Sequence, residues 1–200
     1  ELFEMRLGLI RTTEEEKAFR MDTVLSALSQ LPESRDKDAL MSSLGYVSQP
    51  RLISLSGYNR LLSIAGLPLL DLEQDEAAVY MDYGAGVYLL DEILQERREV
   101  ELDDARLYLT GRVQTVNLVT DRAIRLSFAL ILPDEAFAYY TQGQYSVYLN
   151  GTLEPDSFRD GSLMDAIAEM NGRLDSTELH YESYLQNMGR KLFYMVAVSY

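Results

Sequence analysis

Residues 52–72 read LISLSGYNRLLSIAGLPLLDL, and this stretch decides how the rest of the chain is interpreted. Positions 52–55 form a short apolar run that is typical of a strand. Ser56 then stands at an N-cap position, where its hydroxyl would accept a hydrogen bond from a free N–H group of a helix. Apolar residues recur at helical spacing up to Gly66, which suits the left-handed residue that ends a helix. A proline two residues later cannot continue the helix, so the pattern predicts a short helix between two strands, the second beginning at 69–72.

The same stretch, with the acidic pair that follows at 75–76, resembles the extracytoplasmic segment of FtsX-like ABC-transporter permeases. It is most similar to the large permeases of Gram-positive bacteria, a group that includes the peptide-antibiotic (bacitracin-type) permeases. Segments of that family tend to read I-S-x-S-x-Y-N-x-L before a helix, a glycine and an acidic turn. A second match is SYLQNMGRKLFY at 183–194, which in the family leads into a transmembrane helix. The motif positions in this chain, with a structural role expected for each, are Ser54, Ser56, Tyr58, Asn59 and Gly66.

The resemblance implies that residues 1–200 are an extracellular domain excised from a protein of the cell membrane. Such a domain would sense or bind a substrate or partner protein and pass a conformational change to the membrane helices. ATP would be hydrolysed by a separate ATPase subunit in the cytoplasm, so no catalytic, cofactor or metal site is expected here. The implied ligand is a cationic peptide or a lipid-linked antibiotic, in export or resistance. Residues 192–200, LFYMVAVSY, are expected to begin a transmembrane helix of the parent.

The composition excludes several classes of function. The chain of 200 residues carries 18 basic and 32 acidic residues, which gives a net charge of −14. Binding to phosphate relies on clustered Lys and Arg, so this charge argues against a nucleic-acid partner and against docking on an anionic lipid surface. It is compatible with a cationic partner. The absence of cysteine excludes disulfides, thiolate catalysis and zinc–thiolate sites.

Two alternatives to the permease interpretation remain open. The first is a small acidic soluble hydrolase, whose general base would have to be the one histidine, His180. The second is an intracellular protein-interaction domain. The complete gene discriminates among the three, because flanking transmembrane segments and an adjacent ATPase gene are expected of a permease alone.

Tyrosine is abundant, with 14 residues, several of them between 139 and 148. An exposed cluster would offer a peptide ligand a broad amphipathic contact area, so Tyr139, Tyr140 and Tyr145 form the predicted ligand surface. The competing interpretation is that strand propensity and half-buried positions explain these tyrosines.

The remaining pattern predicts an α+β fold, with an antiparallel-rich mixed sheet and helices packed on one face. This fold would form a single compact domain, either undivided or with two lobes. Residues 1–11 are left open between strand and helix. The sequence signals that start the other predicted helices are Thr13 with Glu16, Ser34, Pro133, Ser162, and Ser176 or Thr177.

Strands are predicted at 77–83 and 145–149, the latter closing on a hairpin turn at 150–151. Residues 87–98 are predicted as a strand that runs into a short helix. Residues 105–119 and 123–132 are predicted to pair as an antiparallel hairpin. In the second of these strands apolar residues alternate with others, which indicates that one face is buried.

Overall fold

The computed structural model describes residues 2–12, 18–64, 66–81, 85–103, 105–113 and 128–151, together with isolated helical positions at 165 and 169. The chain divides into two compact units, of which the first comprises residues 2–150. Its elements in chain order are β1 (Leu2–Leu9), β2 (Phe19–Arg20), α1 (Asp22–Gln30), α2 (Arg35–Gly45), β3 (Arg51–Ser54), α3 (Leu55–Ile64), β4 (Glu76–Tyr80), α4 (Val87–Ile93), β5 (Arg98–Leu102), β6 (Ala105–Val113), β7 (Ala129–Leu132), α5 (Asp134–Thr141) and β8 (Tyr145–Gly151).

The strands form one mixed sheet in the order β2-β5-β6-β4-β7-β3-β1-β8. Strand β3 runs parallel to β7, and β4 runs parallel to β6. The pairs β1–β3, β2–β5, β4–β7 and β5–β6 are antiparallel. The prediction of an α+β fold with an antiparallel-rich mixed sheet is therefore confirmed.

Helices pack on both faces of the sheet, whereas the sequence predicted one covered face. On the first face, α1, α2, α4 and α5 share a core with Leu52, Val79 and Leu130. On the second face, α3 shares a smaller core with Ile53 and Ile131. Successive residues of a strand point to opposite faces, so a strand that is covered on both sides must be apolar throughout.

The predicted hairpin of 105–119 with 123–132 is wrong for the residues described. Strand β4 lies between β6 and β7, since Ala77 pairs with Leu109 and Val79 pairs with Leu130. All four residues of β7 are buried, so this strand lies in the interior of the sheet and is not buried on one face alone. The predicted turn lies outside the described residues.

Four local predictions also need correction. The strand predicted to begin at 69–72 is not formed, since residues 67–73 belong to neither a helix nor a strand and the next strand begins at Glu76. Residues 87–93, of which the first part was predicted as a strand, are helical throughout and form α4. The helix predicted to follow the capping box at Thr13 does not include Phe19 and Arg20, which form the short strand β2, and α1 begins at Asp22. The predicted turn at 150–151 belongs to strand β8.

Other local predictions are confirmed. Ser34 caps α2 by accepting a hydrogen bond from the N–H of Lys37 at 3.1 Å. Helix α5 begins directly after Pro133. The first eleven residues, left open above, contain β1. The capping box at Thr13, the helices predicted after Ser162 and near Ser176, and residues 192–200 lie outside the described residues. Within the described part of the chain, the helices are too short or too polar to cross a membrane.

Candidate functional site

The family-motif residues lie where β3 meets α3, and the helix begins there without an intervening loop. Ser56 was predicted to cap the helix, but it lies within the first turn because α3 begins at Leu55. The backbone N–H of Ser56 donates a hydrogen bond to Oδ1 of Asp134 at 3.1 Å. Strands β3 and β7 run parallel with Ser54 opposite Leu132, so α3 and α5 begin at the same edge of the sheet. The cap of α3 therefore comes from the first turn of α5.

Ser54 and Tyr58 belong to the buried part of this junction. Ser54 is 1% exposed, and among the described residues its Oγ has no hydrogen-bond partner. A Cβ built on Gly57 would lie 3.0 Å from that oxygen and 3.2 Å from the carbonyl oxygen of Glu4. The glycine thus lets the first turn of α3 lie against β1. The ring of Tyr58 is fully buried and meets Tyr80 edge-on, with 6.3 Å between ring centroids.

Asn59 and Gly66 fix the segment that follows α3. The Nδ2 of Asn59 donates to the carbonyl oxygen of Leu70 at 2.8 Å, and its Oδ1 accepts from the N–H of Leu70 at 2.8 Å. Gly66 has a φ of +69°, as predicted, and ends the helix in the left-handed conformation. The N–H of Leu67 then donates to the carbonyl oxygen of Leu62 at 2.9 Å. The unit formed by β3, α3 and residues 66–73 is called the β3–α3 unit below.

The predicted tyrosine surface is divided by the structure. Tyr139 is 72% exposed and Tyr145 is 36% exposed, but Tyr140 is only 6% exposed and belongs to the core of the first face. Burial raises the pKa of the Tyr140 hydroxyl above its usual value. The ring of Tyr145 packs against Phe137, whereas that of Tyr139 packs against Tyr140. Tyr140 is therefore a packing residue, and the two exposed tyrosines contact different neighbours.

A groove that the sequence did not predict runs between α1 and the end of α4. It is open to solvent, has a volume of about 930 Å³ and is called the α1–α4 groove below. The α1 side is lined by Asp22, Thr23, Ser26, Ala27, Gln30 and Leu31. The other side is formed by Glu92, Ile93, Gln95, Glu96 and Arg98.

The groove carries an excess of negative charge. Its lining includes the carboxylates of Asp22, Glu92 and Glu96 and one guanidinium, that of Arg98. Arg98 already donates to the carbonyl oxygen of Ile93 at 3.2 Å and to Glu96 at 2.8 Å, so it holds the turn after α4. Within the described part of the chain, neither the carboxylate of Asp22 nor that of Glu92 has a hydrogen-bond or ion-pair partner, although the backbone carbonyl of Glu92 accepts from the N–H of Gln95 at 3.3 Å. Two carboxylates thus remain available to a ligand.

Buried polar contacts hold the α1 wall of the groove. Lys37 of α2 is 3% exposed, and its Nζ donates to the carbonyl oxygens of Ser29 and Leu31 at 2.9 Å each. These are carbonyl groups at the end of α1, where a helix lacks internal donors. Near the start of α1, the hydroxyl of Thr23 donates to the carbonyl oxygen of Glu99 in β5. Helix α1 is therefore fixed at both ends.

The α4 wall is fixed by an ion pair and by a close backbone approach. Arg112 of β6 donates to both carboxylate oxygens of Asp91 at 2.6 and 2.7 Å, and the two side chains are 13% and 27% exposed. A bidentate pair of this kind fixes the direction of both side chains. At the start of α4, Gly86 has a φ of +79° and leaves no room for a Cβ beside the backbone of Asp36 in α2. The two walls of the groove therefore stand on supported helices.

Several charges on the second face of the sheet are engaged with neighbouring side chains. On the second face, Arg106 lies 3.6 Å from the carboxylate of Glu99, and Arg20 pairs with Glu101 across β2 and β5. The guanidinium of Arg97 lies 4.1 Å from the centroid of the Tyr108 ring. In these contacts the carboxylates of Glu99 and Glu101 already have basic partners, whereas those of Asp22 and Glu92 have none among the described residues.

Within the described residues, no group of three His, Cys, Asp or Glu side chains is arranged to hold a metal ion. His180, the base of the hydrolase alternative, lies outside the described residues. Comparison of the chain with protein-family models, curated proteins and solved structures finds no match.

Proposed function

We propose that this chain is the extracytoplasmic sensing and binding domain of an FtsX-like ABC-transporter permease. In this role it binds a substrate or a partner protein and transmits a conformational change to membrane helices of the parent chain. The proposal is supported by the resemblance at 53–72, with the acidic pair at 75–76, and at 183–194. The domain itself is not an enzyme, and a separate cytoplasmic ATPase subunit hydrolyses ATP.

The observation that carries the proposal is the role of the motif residues within the β3–α3 unit. Tyr58 fills the core of the second face, and Asn59 binds the backbone of the segment after α3. The unit also receives its helix cap from Asp134 of α5, which packs on the first face. A motif that links elements on both faces of the sheet suits a domain that transmits a conformational change, because tightly packed helices and strands move together. The same residues offer no nucleophile–base pair for catalysis.

Because the motif residues have a structural role, we expect the ligand-binding site to lie apart from them. The side chains of Tyr58 and Asn59 are engaged in the fold, so we expect the ligand to bind elsewhere on the domain. The parent protein would reside in the cell membrane with this domain on the extracellular side, and its activity would serve export or antibiotic resistance.

The complete gene tests the proposal. We expect transmembrane segments on both sides of this chain, with a neighbouring gene for an ATPase. A complete gene that encodes no transmembrane segment would contradict the proposal.

Enzyme assays test the absence of catalysis. We expect no turnover of esterase, phosphatase, peptidase or glycosidase substrates, with or without divalent metals. Turnover that the His180→Ala substitution abolishes would favour the hydrolase alternative instead.

A further inference from the structure

We infer that the α1–α4 groove binds an extended peptide segment that carries two basic side chains. The inference rests on the binding role proposed above and names the chemical class of the ligand. It depends on three features of the groove, which are its length, its apolar floor and its unpaired polar rim.

The length of the groove matches a short extended segment. Lining residues run along α1 from Asp22 to Leu31. At a rise of 1.5 Å per residue this stretch of helix is about 14 Å long. An extended chain advances about 3.3 Å per residue, so about four residues of a peptide span the groove.

The floor of the groove is apolar. Ala27 and Leu31 are partly buried and pack against the core of the first face. Ile93 lies beside them at the end of α4 and is 4% exposed. Apolar side chains of a ligand would gain further burial on this floor, which free ions and small polar solutes cannot do.

The rim of the groove is polar on both sides. The amides of Gln30 and Gln95 stand on opposite walls, and within the described residues neither has a hydrogen-bond partner. A side-chain amide both donates and accepts hydrogen bonds, which suits the alternating N–H and C=O groups of an extended backbone. Lipid tails offer no such groups, so the rim favours a peptide.

The charge of the rim selects the side chains of that peptide. The carboxylates of Asp22 and Glu92 lack partners among the residues that the structure describes, and they stand on the two walls of the groove. One basic side chain can therefore pair with each wall, whereas an anionic segment would be repelled. In an extended peptide whose basic and apolar residues alternate, both basic side chains project away from the floor, towards the rim. The two apolar side chains then project towards the apolar floor.

Calorimetry on the full chain tests this assignment. The probes are a terminally capped tetrapeptide of sequence Lys-Leu-Lys-Leu and the matched peptide Glu-Leu-Glu-Leu. We expect the basic peptide to bind and the acidic peptide to give no heat. Raising the salt concentration from 50 to 500 mM should weaken binding several-fold, because ions screen exposed charges.

A pair of double variants locates the binding site. Asp22→Asn with Glu92→Gln removes both free carboxylates of the groove and should weaken binding about 10-fold, since exposed ion pairs contribute modestly. Asp71→Asn with Glu73→Gln removes the same charge from exposed positions in the segment after α3 and should leave affinity unchanged. Circular dichroism verifies that both variants are folded.

Two results would overturn the assignment. One is equal weakening by both double variants, because it would mean that overall charge and not the groove attracts the peptide. The other is the absence of binding of the basic peptide to the unmodified chain. Neither result bears on the gene test above, so failure of the groove and failure of the permease proposal are distinguishable.

Discussion

The β3–α3 unit and the α1–α4 groove belong to opposite faces of one sheet, and they use their side-chain amides in opposite ways. In the unit, the amide of Asn59 makes two hydrogen bonds to Leu70. In the groove, the amide of Gln30 has no partner among the described residues. A polar group that is already bonded stabilises the fold, whereas an unbonded one on a supported wall is free to bind a ligand. The comparison indicates that this domain keeps stability and recognition in different places.

The sharpest way to test the comparison is to remove a buried ring from the unit. Tyr58→Ala should lower the free energy of unfolding by about 3–5 kcal/mol, because it leaves a cavity in the core of the second face. Urea unfolding followed by circular dichroism measures the change. The control is Tyr139→Ala, which removes a ring that is 72% exposed and should change stability by about 0.5 kcal/mol or less. Equal losses in the two variants would contradict the packing described.

A pair of amides compares the two regions directly. Asn59→Ala should cost about 1–3 kcal/mol, since two backbone groups of Leu70 lose their partner. Gln30→Ala in the groove should change stability by about 0.5 kcal/mol or less. Thermal unfolding of both variants under the same conditions provides the measurement. If Gln30→Ala were the more destabilising substitution, the contrast between the regions would fail.

Removing the cap that Asp134 provides for α3 should lower the stability by a smaller amount. Asp134→Ala removes the carboxylate that accepts from the N–H of Ser56 and should cost about 1 kcal/mol. Glu135→Ala alters the next position of α5, where the carboxylate accepts one exposed hydrogen bond from Gln74, and serves as the control. Hydrogen exchange should show faster opening of the first turn of α3 in the Asp134 variant alone. Unchanged exchange there would exclude Asp134 as the cap.

Substitution of Gly66, which ends α3, should lower the stability of the domain by a comparable or smaller amount. Gly66→Ala places a Cβ at a φ of +69° and should destabilise the domain by about 1 kcal/mol, although a Cβ there meets no other atom within 4 Å. Gly45 also has open space around it but lacks a positive φ, so Gly45→Ala is a control for backbone strain. Denaturant midpoints that shift equally for both substitutions would exclude strain as the cause.

Local signals in the sequence predicted local structure well. The β3 strand, the end of α3 at Gly66 and the cap of α2 by Ser34 each depend on residues within a few positions of one another. The cap of α3 could not be predicted in the same way, because Asp134 lies 78 residues from Ser56. The α+β fold class was predicted from the mixture of helical and strand patterns, and it is confirmed.

Strand order was predicted less well, because it depends on distant pairing. A hairpin between β6 and β7 was the simplest pairing of neighbouring strands in the sequence, but β4 pairs with both of them. The α1–α4 groove was missed for a related reason. The polar side of α1 was visible in the sequence, but residues 87–93 were assigned partly to a strand, so the second wall was absent from the prediction.

One experiment tests the division between stability and recognition most directly, and it measures unfolding and binding on the same two variants. For Asn59→Ala, at a temperature where it remains folded, we expect lower stability with unchanged affinity for the capped Lys-Leu-Lys-Leu peptide. For Asp22→Asn with Glu92→Gln, we expect about 10-fold weaker binding with stability changed by about 1 kcal/mol or less. The opposite pattern, in which folded Asn59→Ala loses the peptide while the groove variant retains it, would contradict the account.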